Sequence, residues 1–419
     1  MSMKLLFTDH EVFGRQWTTF SPKPLDLFVL IFGMKIPYWL KMIYKTNQSS
    51  TQKYLEFYRE VVLSTARLVA EWQAVGFCHG VLNTDNMSIL GLTIDYGPYG
   101  FMDRFDQDYI CNGSDDGGRY AFNKQPSMCK WNLKKFAEAL SGYTELDQVL
   151  PLEMSLTVLE EYEEEYQKCF LQKMRKKFGL VRKQLETDID LVDSFLQAMQ
   201  DTGGDYTNCF RCLNQLDLPG ADTYHTSMER VTNMLMAQSC TLEELKNTCK
   251  PRMDPRELMM IVMLMQTNPD LLANLGKGQH MVVKEMEKVE KLKQLQGLTE
   301  QDKKNKDLKI WSAWLEKYSD RLRLECKDMQ DIEELSKTRV TAMNSNNPKY
   351  ILRNYIAHNA ITCAEKGDFS EVRRVLKLLE HPYDDGTQVD DVTMQLEQHN
   401  IESSSSAEQG VQCFIFLSY

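Results

Sequence analysis

At 419 residues, 42% of them hydrophobic, the chain has apolar material for two or three domains or one large helical one. Its formal net charge of −11 argues against non-specific nucleic-acid binding through a basic face. The longest apolar run, Leu27 to Met34, is bracketed by Pro24 and Pro37 and is too short to span a bilayer, so no membrane span is expected.

Residues 1–50 form a divergent, irregular segment, rich in proline and aromatics and poor in periodicity. The opening "MSMKLLFTDHEVFGRQ" carries two acidic residues and one Arg, unlike a transit peptide, and no signal peptide is expected. From Lys53, "KYLEFYREVVLSTARLVAEWQAVGF" repeats Tyr54, Tyr58, Val61, Val62, Leu68, Val69 and Trp72 at helical spacing. The pattern predicts an amphipathic helix that Gly76 ends.

After the next motif, "CKWNLKKFAEALSG" places Trp131, Leu133, Phe136 and Leu140 on one helical stripe with Gly142 as a stop. A further helical pattern starts at Pro151 and stops at Gly179, acids early and bases late as the helix dipole prefers. Glu160 to Glu165 reads as a solvated face, with Tyr162 turned inward. Helices continue to about residue 345, broken at "DTGGDY", at "LPGADT" and at Gly297 inside a charged pair of helices. A last helix-turn-helix is punctuated by Gly367-Asp368, and the chain past Pro382 reads as a disordered tail. The eleven cysteines are scattered. Cys209 and Cys212 stand without the second pair a zinc site needs, so reduced structural thiols in a reducing compartment are expected.

The stretch "FCHGVLNTDNMSILGLTIDYGPYGF", residues 77–101, gathers polar groups between runs that read as core. "MSIL" and "LTID" are two β-type runs joined at Gly91, which predicts a short hairpin with Asp85 and Asn86 before it and Asp95 at its far end. A tight hairpin returns its ends to each other, so Asn86 and Asp95 can converge. An amide oxygen beside a carboxylate is a suitable seat for Mg²⁺, which takes one or two protein oxygens and leaves the rest to phosphates and water. Asp85 could then serve as a base towards a hydroxyl nucleophile. The plainer alternative is that these Asp and Asn residues only shape turns. The order of long helix, His-containing loop, Asn, hairpin and Asp-aromatic-Gly is that of a protein-kinase-like C-lobe.

Taken together, "HGVLNTDNMSILGLTIDYGPYGF", "ICNGSDDGGRYAFNKQP", "CKWNLKKFAEAL" and "NPKYILRNYIAHNAI" resemble the selenoprotein O (SelO, YdiU) family of pseudokinases across roughly residues 50–385. The resemblance implies a protein adenylyltransferase with a kinase-like fold that binds ATP inverted and passes AMP to Ser, Thr or Tyr hydroxyls of protein substrates. It implies Asp85 as the catalytic base and Asn86 with Asp95 as ligands of Mg²⁺ or Mn²⁺, Asp95 also contacting the nucleotide. Kinase-like phosphotransferases carry their catalytic Asp two residues after the loop His. Here that position is Val81, which argues against ordinary phosphoryl transfer. His79 is expected to hold the loop by hydrogen bonds.

The expected fold is therefore mainly α (α+β), a protein-kinase-like C-lobe with a short β-hairpin at the active site and an extended helical C-terminal region. Its expected divisions are a divergent segment over 1–50, a kinase-like core over 51–145, a helical region over 146–382 and a tail over 383–419. No Gly-rich loop or strand-borne Lys is visible before residue 50, and no Cys-x-x-selenocysteine near the end, where Cys413 precedes "FIFLSY". The chain thus reads as beginning near the start of the C-lobe. That leaves two functions to separate, an adenylyltransferase and a truncated, catalytically inactive helical scaffold acting through protein contacts. The family's compartment is the mitochondrion, but without a visible transit peptide a cytoplasmic location is also open.

Overall fold

The computed structural model describes residues 50–141, 150–251, 253–267 and 278–384. The irregular N-terminal segment and the polar tail expected from sequence lie outside these residues, apart from Ser50 and Tyr383–Asp384. The described chain is mainly α, with one small antiparallel sheet.

Helix α1, Ser50–Val75, is the axis of the first hydrophobic cluster. Tyr58, Val61, Val62, Ala66, Val69 and Trp72 are buried along it, at the three- and four-residue spacing that puts side chains on one stripe. That stripe packs against α2, Gln125–Ser141; α3, Leu152–Leu159; and α4, Glu161–Lys177. Tyr162 is fully buried, as the sequence pattern predicts, while Glu160, Glu163 and Glu164 face solvent. The pattern expected to run from Pro151 to Gly179 is interrupted at Glu160, whose N–H turns to Thr157 and Val158.

A second cluster is built on α5, Asp188–Thr202; α6, Tyr206–Cys212; α7, Tyr224–Gln238; and α11, Glu300–Cys326. Phe178, Phe195, Phe210, Trp311, Trp314 and Tyr318 meet there. Several of the buried charges around this cluster are paired. Arg321 Nε lies 2.6 Å from Asp188 Oδ1 and its Nη1 2.8 Å from Glu325 Oε1, and Arg175 Nε lies 2.7 Å from Asp188 Oδ2. Cys209 and Cys212 are buried free thiols, as expected. Helices α8, Leu242–Thr248; α9, Pro255–Thr267; and α10, Gly278–Gln296, follow, and α10 stops at the Gly297 break before α11. After α12, Ile332–Asn344, the expected last pair appears as α13, Asn354–Glu365, and α14, Ser370–Glu380, parted at Gly367-Asp368.

One element differs from expectation. The runs 87–90 and 92–95 do not pair as strands. The antiparallel sheet instead joins β1, Phe77–Cys78, to β2, Gly100–Phe101, with Phe77 opposite Phe101 and Cys78 opposite Gly100. The stretch between is a long loop closed at its base. Gly91 at φ 64° and Asp95 at φ 56° take left-handed backbone that breaks a strand, and Leu90, Leu92 and Ile94 point to solvent rather than to a facing sheet.

Candidate nucleotide and metal site

The site is built from the end of α1 outward. Gly76 leaves the helix at φ 72°, and a Cβ there would stand 2.7 Å from the Tyr206 ring, so glycine satisfies both the turn and the close approach. Tyr206 in turn donates its hydroxyl to the Gln73 carbonyl at 2.8 Å. The chain then enters β1 and reaches His79, buried against Trp72 and Phe77. Gln125, the first residue of α2 and fully buried, accepts from the His79 N–H at 2.8 Å and donates to the Phe77 carbonyl at 2.9 Å. One side chain thus does for β1 what a third strand would do.

His79 closes the loop from within. Its Nε2 donates to the Ile94 carbonyl at 2.8 Å and its Nδ1 accepts from the Val81 N–H at 3.4 Å, a pattern that needs the neutral ring. Burial pushes the imidazole below its usual value, although the Ile94 carbonyl and the nearby Asp95 charge pull the other way. The expected loop-holding role of His79 is the one these bonds perform.

The three residues singled out from sequence lie on this loop. Asp85 and Asn86 sit in a single turn of 3₁₀ helix, Thr84–Asn86, closed by the Asn86 N–H donating to the Asn83 carbonyl at 3.1 Å. Asp85 is exposed. Asn86 is half-buried and its Nδ2 donates to the Val81 carbonyl at 3.0 Å, while its Oδ1 accepts from no group among the described residues. Asp95 follows Ile94, is exposed, and its carbonyl accepts from the Gly97 N–H at 2.9 Å. The expected hairpin is not what joins Asn86 to Asp95. The connection runs through side chains, from Asn86 to Val81, from Val81 to His79, and from His79 to Ile94.

This donor set suits a hard cation of the Mg²⁺ kind. It offers one amide oxygen whose NH₂ is already committed and one free carboxylate, with no soft ligand. Among the described residues there is no group of three or more His, Cys, Asp or Glu able to enclose a metal by itself, so any ion held here would keep positions for phosphate oxygens and water. The left-handed backbone at Asp95, of a kind that costs about 1–3 kcal/mol and collects at functional sites, places its carboxylate on the outer rim of the loop.

Several residues that shape the site were given no role in it from sequence. Asn132, 4% exposed in the middle of α2, donates to the Leu82 carbonyl at 3.0 Å and so supports the chain just before Asp85. Tyr120 donates to Asn83 Oδ1 at 2.5 Å, and Trp72 donates from Nε1 to Thr93 Oγ1 at 2.9 Å. The available signal was a polar residue within an apolar helical stripe, as at Asn132 and Gln125. The stripe drawn from sequence took Trp131 as inward instead, whereas Trp131 is 41% exposed and its neighbour Asn132 is buried.

Comparison with known proteins bears on the same residues. The family model described as "Protein adenylyltransferase SelO" matches residues 34–380. The zebrafish (Danio rerio) protein named "Protein adenylyltransferase SelO-1, mitochondrial" is 46% identical over 376 residues, covering 89% of this chain and 53% of that protein. The mouse (Mus musculus) "Protein adenylyltransferase SelO, mitochondrial" is 51% identical over 338 residues, 80% of this chain and 49% of that protein. A Vibrio vulnificus "Protein nucleotidyltransferase YdiU" is 36% identical over 337 residues, 80% of this chain and 51% of that protein. The chain therefore spans about half the length of the curated relatives it matches. With the family match running through the whole pinned loop and on to α14, this chain belongs to the SelO family of protein adenylyltransferases.

Proposed function

We propose that this chain carries the hydroxyl-activating and metal-holding part of a protein adenylyltransferase with a kinase-like C-lobe, which transfers AMP from ATP to Ser, Thr or Tyr hydroxyls of protein substrates. The observation that carries the reading is the state of the loop side chains. Asp85 and Asp95 present exposed carboxylates, and Asn86 presents an amide oxygen, from a backbone that buried His79, Gln125 and Asn132 hold in place. A loop that only made turns would not need three buried polar side chains under it.

In this reading the acceptor oxygen forms a bond to the α-phosphorus of ATP, the bond from that phosphorus to the α–β bridging oxygen breaks, and pyrophosphate leaves. Asp85 takes the hydroxyl proton, a role that its exposure allows. Asn86 Oδ1 and the Asp95 carboxylate would hold Mg²⁺ or Mn²⁺, which when bound neutralises charge on the phosphates. Asp95 would also contact the nucleotide. The division proposed with this function is a kinase-like core over 51–145 and a helical region over 146–382. It is supported by the two hydrophobic clusters, one drawing on residues 55–162 and the other mainly on residues 174–343. The mitochondrial location in the names of the zebrafish and mouse relatives is proposed for the protein as a whole.

The test is incubation of the chain with ATP labelled at the α-phosphate and Mg²⁺ or Mn²⁺, beside Asp85→Asn and Asp95→Ala. Covalent label on protein that both variants lose is the expected result. A folded chain that takes up no label, or takes it up equally in the variants, would leave the inactive helical scaffold as the function of this chain.

A further inference from the structure

Beside the candidate site a cation lies against an exposed aromatic ring. The Arg119 guanidinium carbon is 5.1 Å from the centroid of the Trp131 ring and 5.8 Å from that of Tyr120, and Lys135 Nζ is 5.5 Å from Trp131. Arg119 is exposed and has no carboxylate partner among the described residues. Of the two nearby acids, Asp115 spends both its oxygens on the backbone N–H groups of Arg119 and Tyr120, at 2.8 and 2.7 Å, and Asp116 makes no ion pair with Arg119 among the described residues. The two rings hold the guanidinium beside them and leave its fork of donors without a carboxylate partner among the described residues, the arrangement that suits an incoming carboxylate.

From Trp131 a cleft of about 530 Å³ opens between α2 and α3. Leu156 and Leu159 line one side, and Lys130 and Lys134 the other. Lys134 has no ion pair among the described residues, while Lys130 reaches Glu160 at 3.2 Å. Glu160 and Glu163 also border the cleft, and Glu163 accepts from Gln167 at 3.0 Å. Cationic at the Arg119 end, apolar in the middle and mixed beyond, this surface does not suit a uniformly acidic ligand. It fits an extended peptide with one acidic residue followed by an apolar one.

The shelf is joined to the site by two hydrogen bonds already described, from Tyr120 to Asn83 and from Asn132 to Leu82. Asn83 is two residues before Asp85, a span of at most about 7 Å of backbone. We propose that the Arg119–Trp131 shelf and its cleft seat the protein substrate, selecting acceptor hydroxyls that have an acidic residue and then an apolar residue close by in sequence. The proposal rests on the adenylyltransferase reading above. A nucleotide phosphate would use Arg119 equally well but would have no use for the apolar cleft, so the peptide is the occupant the surface favours.

The experiment measures binding separately from transfer. Fluorescein-labelled ten-residue peptides carrying a Ser, then Glu, then Leu are titrated with the full chain by fluorescence anisotropy, without ATP, beside a copy with Gln in place of Glu. Binding at least about tenfold tighter for the Glu peptide is expected, as a charge-assisted bidentate contact would give. Arg119→Ala should abolish the preference, Arg119→Lys should lose most of it, and Trp131→Ala should weaken both peptides. Lys134→Glu, on an exposed face that folding does not depend on, should weaken the Glu peptide alone.

Equal binding of the two peptides, or a preference that survives Arg119→Ala, overturns the proposal. So does displacement of the peptide by metal-free ATP together with an equal loss of ATP binding in Arg119→Ala, which would give Arg119 to the nucleotide. Transfer of α-labelled AMP to the same peptides is read in parallel. An intact preference with no label on any peptide would refute the adenylyltransferase reading while leaving the shelf as a peptide site.

Discussion

His79 Nε2 lies 2.8 Å from the carbonyl oxygen of Ile94, fifteen residues further along the chain, and this bond ties the far end of the loop to its base. Because Nδ1 of the same ring accepts from Val81, and the Val81 carbonyl holds the Asn86 amide, one imidazole sets the position of both proposed metal-holding residues.

The ring is neutral in this arrangement, and burial keeps its folded-state value below the ordinary one near 6.5. A proton on Nδ1 would remove the acceptor that Val81 needs. The unfolded chain therefore binds a proton more readily than the folded one in the window just below 6.5, and stability is lost as pH falls through it. Urea unfolding at pH 7.5 and pH 5.5 should show the chain less stable at the lower pH. His79→Ala should cost about 2 kcal/mol at pH 7.5 and remove this part of the pH dependence.

Asp95 combines a left-handed backbone with an exposed carboxylate, and the two properties separate by substitution. Asn tolerates that backbone nearly as well as Asp. Asp95→Asn should leave the melting temperature within about 2 °C of the parent, since only a surface charge is removed. Mn²⁺ affinity, followed by electron paramagnetic resonance in the presence of ATP, should fall at least about tenfold, because a neutral oxygen replaces the anionic ligand.

Gly76 is where the site is fastened to the second hydrophobic cluster. An alanine there must hold φ 72° and meet the Tyr206 ring at 2.7 Å, and Tyr206 is boxed in by Phe105, Phe122 and Phe210. Gly76→Ala should destabilise by about 2–4 kcal/mol, combining backbone strain with overpacking. Thermal unfolding monitored by circular dichroism measures it. Gly297→Ala, with nothing within 4 Å of the new methyl, is the matched control and should change stability by no more than about 1 kcal/mol.

Lys177 is buried with its Nζ 4.0 Å from the Phe210 ring centroid and 5.7 Å from that of Tyr206. Burial, with a smaller push from Lys173, brings its amine down to about 7. The unfolded chain keeps this lysine protonated up to about 10.4, so stability rises with pH between about 7 and 10 and is lost on the way back down. Lys177→Met should therefore stabilise the chain most below pH 7, by about 1–3 kcal/mol after loss of the cation–π contacts, with the gain shrinking towards pH 10. Parallel denaturation curves at pH 6, 8 and 10 test the sign.

The long-period signals were legible in the residues themselves. Tyr58, Val62, Val69 and Trp72 marked α1, Gly76 marked its end, Tyr162 announced its inward turn among acids, and Gly297 and Gly367-Asp368 marked breaks. These are local properties, since a helix's buried stripe and its stop are written within a few residues. The family was legible for a related reason. Loop residues such as His79, Asp85, Asn86 and Asp95 stand close together in sequence, so their spacing survives without any knowledge of packing.

Only the tertiary structure decided what that loop looks like. Residues 87–95 alternate like strands, yet their surroundings leave Leu90, Leu92 and Ile94 in solvent, and pairing falls to Phe77–Cys78 and Gly100–Phe101. The loop's backbone is satisfied by Gln125 and Asn132, which lie 46 and 50 residues from the groups they bind. Periodicity also could not tell Trp131 from Asn132, because an apolar ring inside a stripe reads as core until α3 and Arg119 take their places around it. Sequence alone set the helices, their stops and the chemistry available to the loop. Which backbone groups that chemistry rests on was settled by side chains arriving from far along the chain, and local patterns carry no record of partners that meet only on folding.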